Sequence, residues 1–445
     1  MNPEKEKEDV CIDEYKKSHQ NSLKLHDQAL SLFSGNGSTH ISRILKPNRP
    51  YITHASGTKK WDIDKNEYID YVMSHGALIL GHGHPDVVQA VKDQVDRGVH
   101  YGENHELEIQ WAQLIQEMMP SAERVEFFPC GNEANMMAIR LGRIFTQKSK
   151  ILRLEHQFHG WGDELMPPTT PGIPQQQHVT IIPPGNIKKV EEELSKGEYA
   201  VLMTEAGGAF MGGKIPMEPE FVRELSVLTQ KYGTIWILDE VVTCFRDAPG
   251  GWQSVVGVKP DLTILGKCLG GGLGAGAIIG RADIMAAFSP DSPVDRRIPH
   301  SGTWNANPLT ASAAVAACKL YRDAEIQKKA NQIAALLRKK GNRILVNKGI
   351  SGAFYGRSIV HLYLGSRDFE PEDDSLPPTK DPGKLLNPKN TPTFQRLCIH
   401  LLQRGIANMN GWVFVLSAVH SEEDIHKTVE AFTSSIDAMS AEGWF

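Results

Sequence analysis

The chain has no CxxC pair, and its six cysteines (Cys11, Cys130, Cys244, Cys268, Cys318 and Cys398) are scattered through 445 residues. That spacing excludes a disulfide scaffold and the common zinc ribbons, and reduced thiols in a cytoplasmic protein are the simplest reading. Basic charge is not in excess: 48 Lys and Arg face 53 Asp and Glu, a formal net charge of -5, which leaves no basic patch for nucleic acid. No apolar run approaches the roughly 20 residues of a membrane span. The N-terminus, MNPEKEKEDVCIDEYKK, lacks the apolar centre of a signal peptide. His82, His84 and the pair His105-Glu106 match no familiar zinc spacing, so no metal is expected. No internal repeat is visible.

What is present is a long chain of ordinary globular composition, 40% hydrophobic and 23% charged, enough for two domains. Residues 1–90 read as a helical lead-in, a Gly- and Pro-rich loop holding Arg43, and a small antiparallel meander over Tyr51–Asp70 with turns at Ser56-Gly57 and Asp64-Lys65-Asn66. Pro85 opens a helix. Residues 91–325 alternate amphipathic helices with short apolar strands (VEFF, ILRLE, YAVLMTE, TIWIL, LTILG), the pattern of an α/β, mainly parallel sheet covered by helices on both faces. Residues 308–345 read as one long helical connector. Residues 326–445 form a smaller α+β domain, carrying a Pro- and charge-rich insertion at 365–392 that is a surface loop or a lid. The N-terminal 1–90 belongs with this small domain.

The chemistry concentrates between Gly233 and Gly276. The run Thr234–Leu238 is apolar enough for a strand buried on both faces, and it stops on Asp239 and Glu240. Open α/β sheets place ligands at such strand ends. A second run, Leu262–Leu265, delivers Lys267 ahead of Gly270, Gly271, Gly272 and Gly274. An acid and a lysine on adjacent strand ends suit pyridoxal 5'-phosphate, which needs a lysine for its aldehyde and an anion for its ring nitrogen. The alternative for Asp239 and Glu240 is to cap a helix starting at Val241. Gly270, Gly272 and Ala275 loosely fit a dinucleotide motif, but no acid follows at the required spacing. Strand VEFF leads through Gly131 and Asn132 into a helix, which suits a bound phosphate, although Asn132 capping that helix is an equal alternative. Thr303, in a Gly-Thr turn before Pro308, offers one more phosphate contact.

Eight blocks, in order, give these segments a common source: WDIDKNEYIDY, LGHGHP, GNEANMMAIRLGR, FHGW, ILDEVVTCFR, PDLTILGKCLGGG, SGTWNANPLTA and SAVHSEEDI. From about Pro50 onward the chain resembles the class III aminotransferases, pyridoxal-phosphate enzymes of fold type I, in the branch of glutamate-1-semialdehyde 2,1-aminomutase and its aminotransferase relatives. The resemblance implies Lys267 as the imine-forming catalytic lysine and Asp239 as partner of the ring nitrogen. It places Phe158 and Val241 on the two ring faces, His159 beside the ring, and Glu205 near the cofactor. Gly131 and Asn132 would hold the phosphate, joined by Thr303 from the partner of a homodimer. Cys130 and Asn132 replace the family's hydroxyl residues in the phosphate turn, and Ala206 replaces a proline. His75, Trp304 and the run Asn408–Trp412 also depart from the pattern, at positions that border the substrate in relatives.

The leading expectation is an aminotransferase that moves an amino group from an amino acid or amine to a 2-keto acid by a ping-pong mechanism. Arg43 is the candidate for a substrate carboxylate, since its guanidinium fork matches two oxygens; His75 and Trp304 are further substrate-contact candidates. The alternatives are intramolecular amino transfer, racemisation, and a catalytically inactive cofactor-binding subunit.

Overall fold

The computed structural model describes residues 9–40, 43–174 and 178–445. It resolves into two compact units. One holds the described residues up to His75, with Leu80–Gly83 and Ala330–Phe445; the other holds Gly76–Ile79 and His84–Lys329. The changeovers thus fall at residues 75–84 and 329 rather than at 90 and 325. In chain order the strands are β1 (Ile52–Ser56), β2 (Lys59–Asp62), β3 (Glu67–Asp70), β4 (Arg124–Phe128), β5 (Lys150–Leu154), β6 (Val179–Ile182), β7 (Tyr199–Glu205), β8 (Gly208–Ala209), β9 (Ile215–Pro216), β10 (Ile235–Asp239), β11 (Leu262–Gly266), β12 (Gly276–Gly280), β13 (Gly352–Gly356), β14 (Ile359–Leu364), β15 (Ile406–Ala407) and β16 (Val413–Val415).

The unit around residues 84–329 is built on a seven-stranded sheet in the order β4-β12-β11-β10-β7-β5-β6. Its strands are parallel except β12, which runs antiparallel to both β11 and β4. Every residue of β7, β10, β11 and β12 is buried. The continuous apolar runs follow from that, because each face of a central parallel strand meets a layer of helices. Alternate residues of β10 serve the two faces: Ile235 and Ile237 pack with Ile139, Val201 and Ile264, whereas Trp236 and Leu238 pack with Leu202, Val222 and Leu225.

The other unit carries a four-stranded sheet, β1-β2-β3-β15, and a three-stranded one, β13-β14-β16. The meander turns where its Gly and Asn residues indicate, with Lys65 in the left-handed region at φ 70°. Its core gathers Tyr71, Phe354, Val360, Leu397, Phe414 and Ile436. The insertion 365–392 contains only a short helix, Pro382–Leu385, and one 3-10 turn. It is tied to its own unit: Arg338 Nε donates to Asp374 Oδ1 at 2.9 Å, and Asn390 Nδ2 to the Leu364 carbonyl at 2.6 Å.

The expected single connector over 308–345 is two helices, Pro308–Tyr321 and Glu325–Asn347. The break comes where Ala324 turns left-handed at φ 66°, a conformation no α-helix continues through. Good helix formers on both sides concealed it. Among the described residues, no helix is long and apolar enough to cross a membrane.

The closing helix, Glu422–Ala441, starts in a capping box: the Ser421 side chain accepts from Asp424 N while the Asp424 carboxylate accepts from Ser421 N. Ser421→Ala removes half of that exchange. Chemical denaturation should report a loss of about 1 kcal/mol with an unchanged m-value.

Candidate active site

The sheet brings Asp239 and Lys267 together by register. β10 and β11 are parallel neighbours with Asp239 opposite Ile264, so Asp239 ends one strand and Lys267 follows Gly266 at the end of the next. Lys267 is itself left-handed, at φ 46°, where the chain leaves the strand for a 3-10 turn. The glycines after it serve close packing: a side chain on Gly271 would lie 2.5 Å from the Ala313 carbonyl of the helix Pro308–Tyr321.

Asp239 is buried and fully engaged. Its Oδ2 accepts from His159 Nδ1 at 2.8 Å and from Asn135 Nδ2 at 2.8 Å, and its Oδ1 from the Val241 amide at 3.0 Å. A carboxylate can only accept, so the His159 proton resides on Nδ1. Burial holds the His159 pKa below its ordinary value despite the aspartate, and its Nε2 has no hydrogen-bond partner among the described residues. Asn135 also donates to the His159 carbonyl at 2.7 Å, fixing both ends of the interaction. Asn135 was not singled out from the sequence, although it lies one helical turn after Gly131 on the same face.

Glu240 caps no helix at Val241. It reaches further, accepting from Trp252 N at 2.7 Å and Gln253 N at 2.9 Å at the start of the helix Gly251–Val256. Thus the two adjacent acids divide their work, one facing the site and one holding the segment behind it. Burial raises the Glu240 pKa to about 7.

The helix Gly131–Thr146 begins at Cys130 with no side-chain cap, so Asn132 is not its cap. Asn132 Oδ1 instead accepts from Trp161 N at 2.6 Å. This leaves first-turn amides available for an anion. Gly131 gives the approach its shape, since a side-chain carbon there would stand 2.5 Å from Val241 Cγ2.

Glu205 ends β7 and is buried. Its Oε1 accepts from the Phe158 amide. Burial raises its pKa to about 8, against that bond and the nearby Lys267 charge. Lys267 is lowered by its own burial, against the attraction of Asp239 and Glu205. Phe158 is half exposed and meets Trp161 edge-on at 5.4 Å.

Thr303 and Trp304 lie in the same unit on an exposed turn. His100 Nε2 donates to the Thr303 carbonyl, and His105 Nε2 to the Ala306 carbonyl at 2.8 Å. Arg43 and His75 belong to the other unit, where both line a cavity of about 670 Å³ together with Arg49, Lys60, Asp70 and Met409. His75 stacks on His40 at 4.7 Å.

The model of the family described as aminotransferase class-III matches residues 45–351. The chain belongs to that family. Among the relatives of this class-III aminotransferase, the glutamate-1-semialdehyde 2,1-aminomutase of Thermodesulfovibrio yellowstonii is 35% identical over 429 residues, covering 92% of this chain and 97% of its own. An omega-transaminase from Sphaerobacter thermophilus matches in structure with TM-score 0.85 and 29% identity, over 94% of this chain and 97% of its own. A β-phenylalanine aminotransferase from Variovorax paradoxus gives TM-score 0.83 and 27% identity, with 97% of each chain covered. The fold is therefore that of the fold type I enzymes, and the cofactor is pyridoxal phosphate. The donor set fits this group: a desolvated lysine, a held carboxylate and uncapped helix amides lie in one unit.

Glu205 makes the stability of the cofactor-free chain pH-dependent. Its folded pKa of about 8 exceeds the ordinary 4.5, so between those values the unfolded chain has already released a proton that the folded chain retains. Stability therefore falls as pH rises through that window. Melting curves from pH 5 to pH 8 should show a smaller decline for Glu205→Gln than for the wild-type chain.

Proposed function

We propose that this class-III enzyme is an aminotransferase, moving an amino group from an amino acid or amine to a 2-keto acid in a ping-pong cycle. Pyridoxal phosphate, when bound, supplies an aldehyde that takes up the amine and a ring that accepts electrons from the α-carbon. Lys267 would hold the aldehyde and then carry the proton to and from the substrate α-carbon; its burial favours the neutral amine this work needs. Asp239 would face the ring nitrogen, oriented by His159, Asn135 and the Val241 amide. Gly131, Asn132 and the uncapped first turn would hold the phosphate. Phe158 and Val241 would cover the ring faces, with His159 and Glu205 at its edge.

A homodimer would complete the site. Thr303 and Trp304 are exposed on a turn fixed by two histidines, a suitable position from which to reach a partner's phosphate and substrate. Arg43 would take a substrate carboxylate, with His75 beside it in the same cavity. The cytoplasm is the proposed location, in keeping with six free cysteines.

The observation that favours transfer between two substrates is the run Asn408–Trp412. It carries amides where the aminomutase pattern has an acid; Arg49 donates to the Asn408 backbone carbonyl at 3.3 Å and to the Asn410 side-chain Oδ1 at 3.1 Å. The second reading, intramolecular amino transfer, is supported by the curated aminomutases at 33–35% identity.

An amino donor added alone separates the two. A transaminase should lose the visible absorbance of the lysine-bound cofactor and regain it only when pyruvate or 2-oxoglutarate is supplied. Turnover of glutamate-1-semialdehyde with no keto acid, and no response to any donor–acceptor pair, would instead establish the mutase. Lys267→Ala should abolish the visible absorbance and slow turnover by about 10²–10⁴-fold; undiminished turnover would sink the assignment of this lysine.

A further inference from the structure

The segment after Glu205 is a tight hairpin, β8 and β9, with its tip at Phe210–Lys214. Two non-glycine residues at that tip are left-handed, Phe210 at φ 59° and Met211 at φ 51°. Left-handed backbone is strained for residues with a side chain, so surrounding bonds must fix the tip in place. The ladder of β8 and β9 does so, with Lys214 N donating to the Phe210 carbonyl at 3.0 Å. The Gly213 amide adds a second bond within the tip, donating to the Phe210 carbonyl at 3.3 Å.

The result is a defined position for the Met211 thioether. Gly76 sits at φ 93°, and a side-chain carbon placed on it would lie 3.7 Å from Met211 Cε and 3.7 Å from Lys267 Cδ. Met211 and the Lys267 methylenes therefore converge on the same bare backbone. The Gly76 carbonyl is fixed by Arg246 Nη2 at 2.8 Å and by Cys268 Sγ at 3.3 Å, so this floor is rigid. Exposed large apolar side chains of the same unit include the aromatics Phe158, Trp161 and Phe210, together with Leu273, six residues after Lys267.

We infer that Met211 is a specificity-determining residue, forming the wall beside Lys267 against which the side chain of an apolar amino donor packs. The inference rests on the transaminase reading and names its donor class. A thioether suits this wall because it is flexible, polarizable and favourable against aromatic rings.

The test uses the cofactor-loaded enzyme and two donors, one with a phenylalkyl side chain and one with a methyl group. Met211→Ala should change the ratio of their kcat/KM values by at least about tenfold, whereas Met211→Leu, similar in volume, should stay near wild type. A second readout needs no turnover: the dissociation constant of 3-phenylpropanoate, followed by tryptophan fluorescence, should weaken by a similar factor in Met211→Ala while the melting temperature and visible spectrum are kept. A ratio and an affinity within twofold of wild type would overturn the inference. So would an equal loss for both donors accompanied by a lowered melting temperature, the signature of a structural role. If the wild-type enzyme transaminates neither donor but isomerises glutamate-1-semialdehyde, the transaminase reading falls and takes this inference with it.

Discussion

A buried carboxylate with three donors around it organises the candidate site of this chain. Asp239 ends a fully buried strand, where polar oxygens without partners are costly. The His159, Asn135 and Val241 donors satisfy its carboxyl oxygens, and each comes from a different segment. His159 follows the turn after β5, Asn135 rides the helix that begins at Gly131, and Val241 leads into the loop that Glu240 anchors. The three segments must settle together for those oxygens to be satisfied. One electrostatic requirement thereby fixes the relative positions of the helix end, the aromatic residue and the lysine.

The same economy explains the paired acids Asp239 and Glu240. Strand alternation sends adjacent side chains to opposite faces, so neighbouring carboxylates need not compete for one environment. Asp239 meets donors on the site side, while Glu240 meets the start of a short helix on the other.

Much of this was legible in the sequence because apolar runs buried on both faces and ending in charge leave few places for that charge to go. The parallel strands, the acid and lysine at adjacent strand ends, and the meander with its turns all follow from local pattern. What was not legible depends on contacts between distant segments. The break at Ala324 hides in a run of good helix formers, with no Gly or Pro to mark it. Asn135 looks like any helix polar residue until His159, 24 positions later, arrives beside it. Met211 carries no motif; its position depends on a left-handed turn that a methionine does not advertise. A local cap was one alternative for Glu240, and its partners twelve and thirteen residues further on cannot be inferred from spacing.

The uncapped start of the helix Gly131–Thr146 has a thermodynamic consequence. Backbone donors without partners are a defect in the ligand-free chain, and an anion that satisfies them stabilises the folded state alone. With the phosphate held there as proposed, cofactor supply would act on the stability of the protein as well as on its activity: at a hundredfold excess over the dissociation constant, the linkage is worth about 2.7 kcal/mol. A side-chain cap at Cys130 would make the ligand-free protein sturdier and weaken that coupling. On that reading, the chain would tie its own persistence to the availability of the molecule it works with.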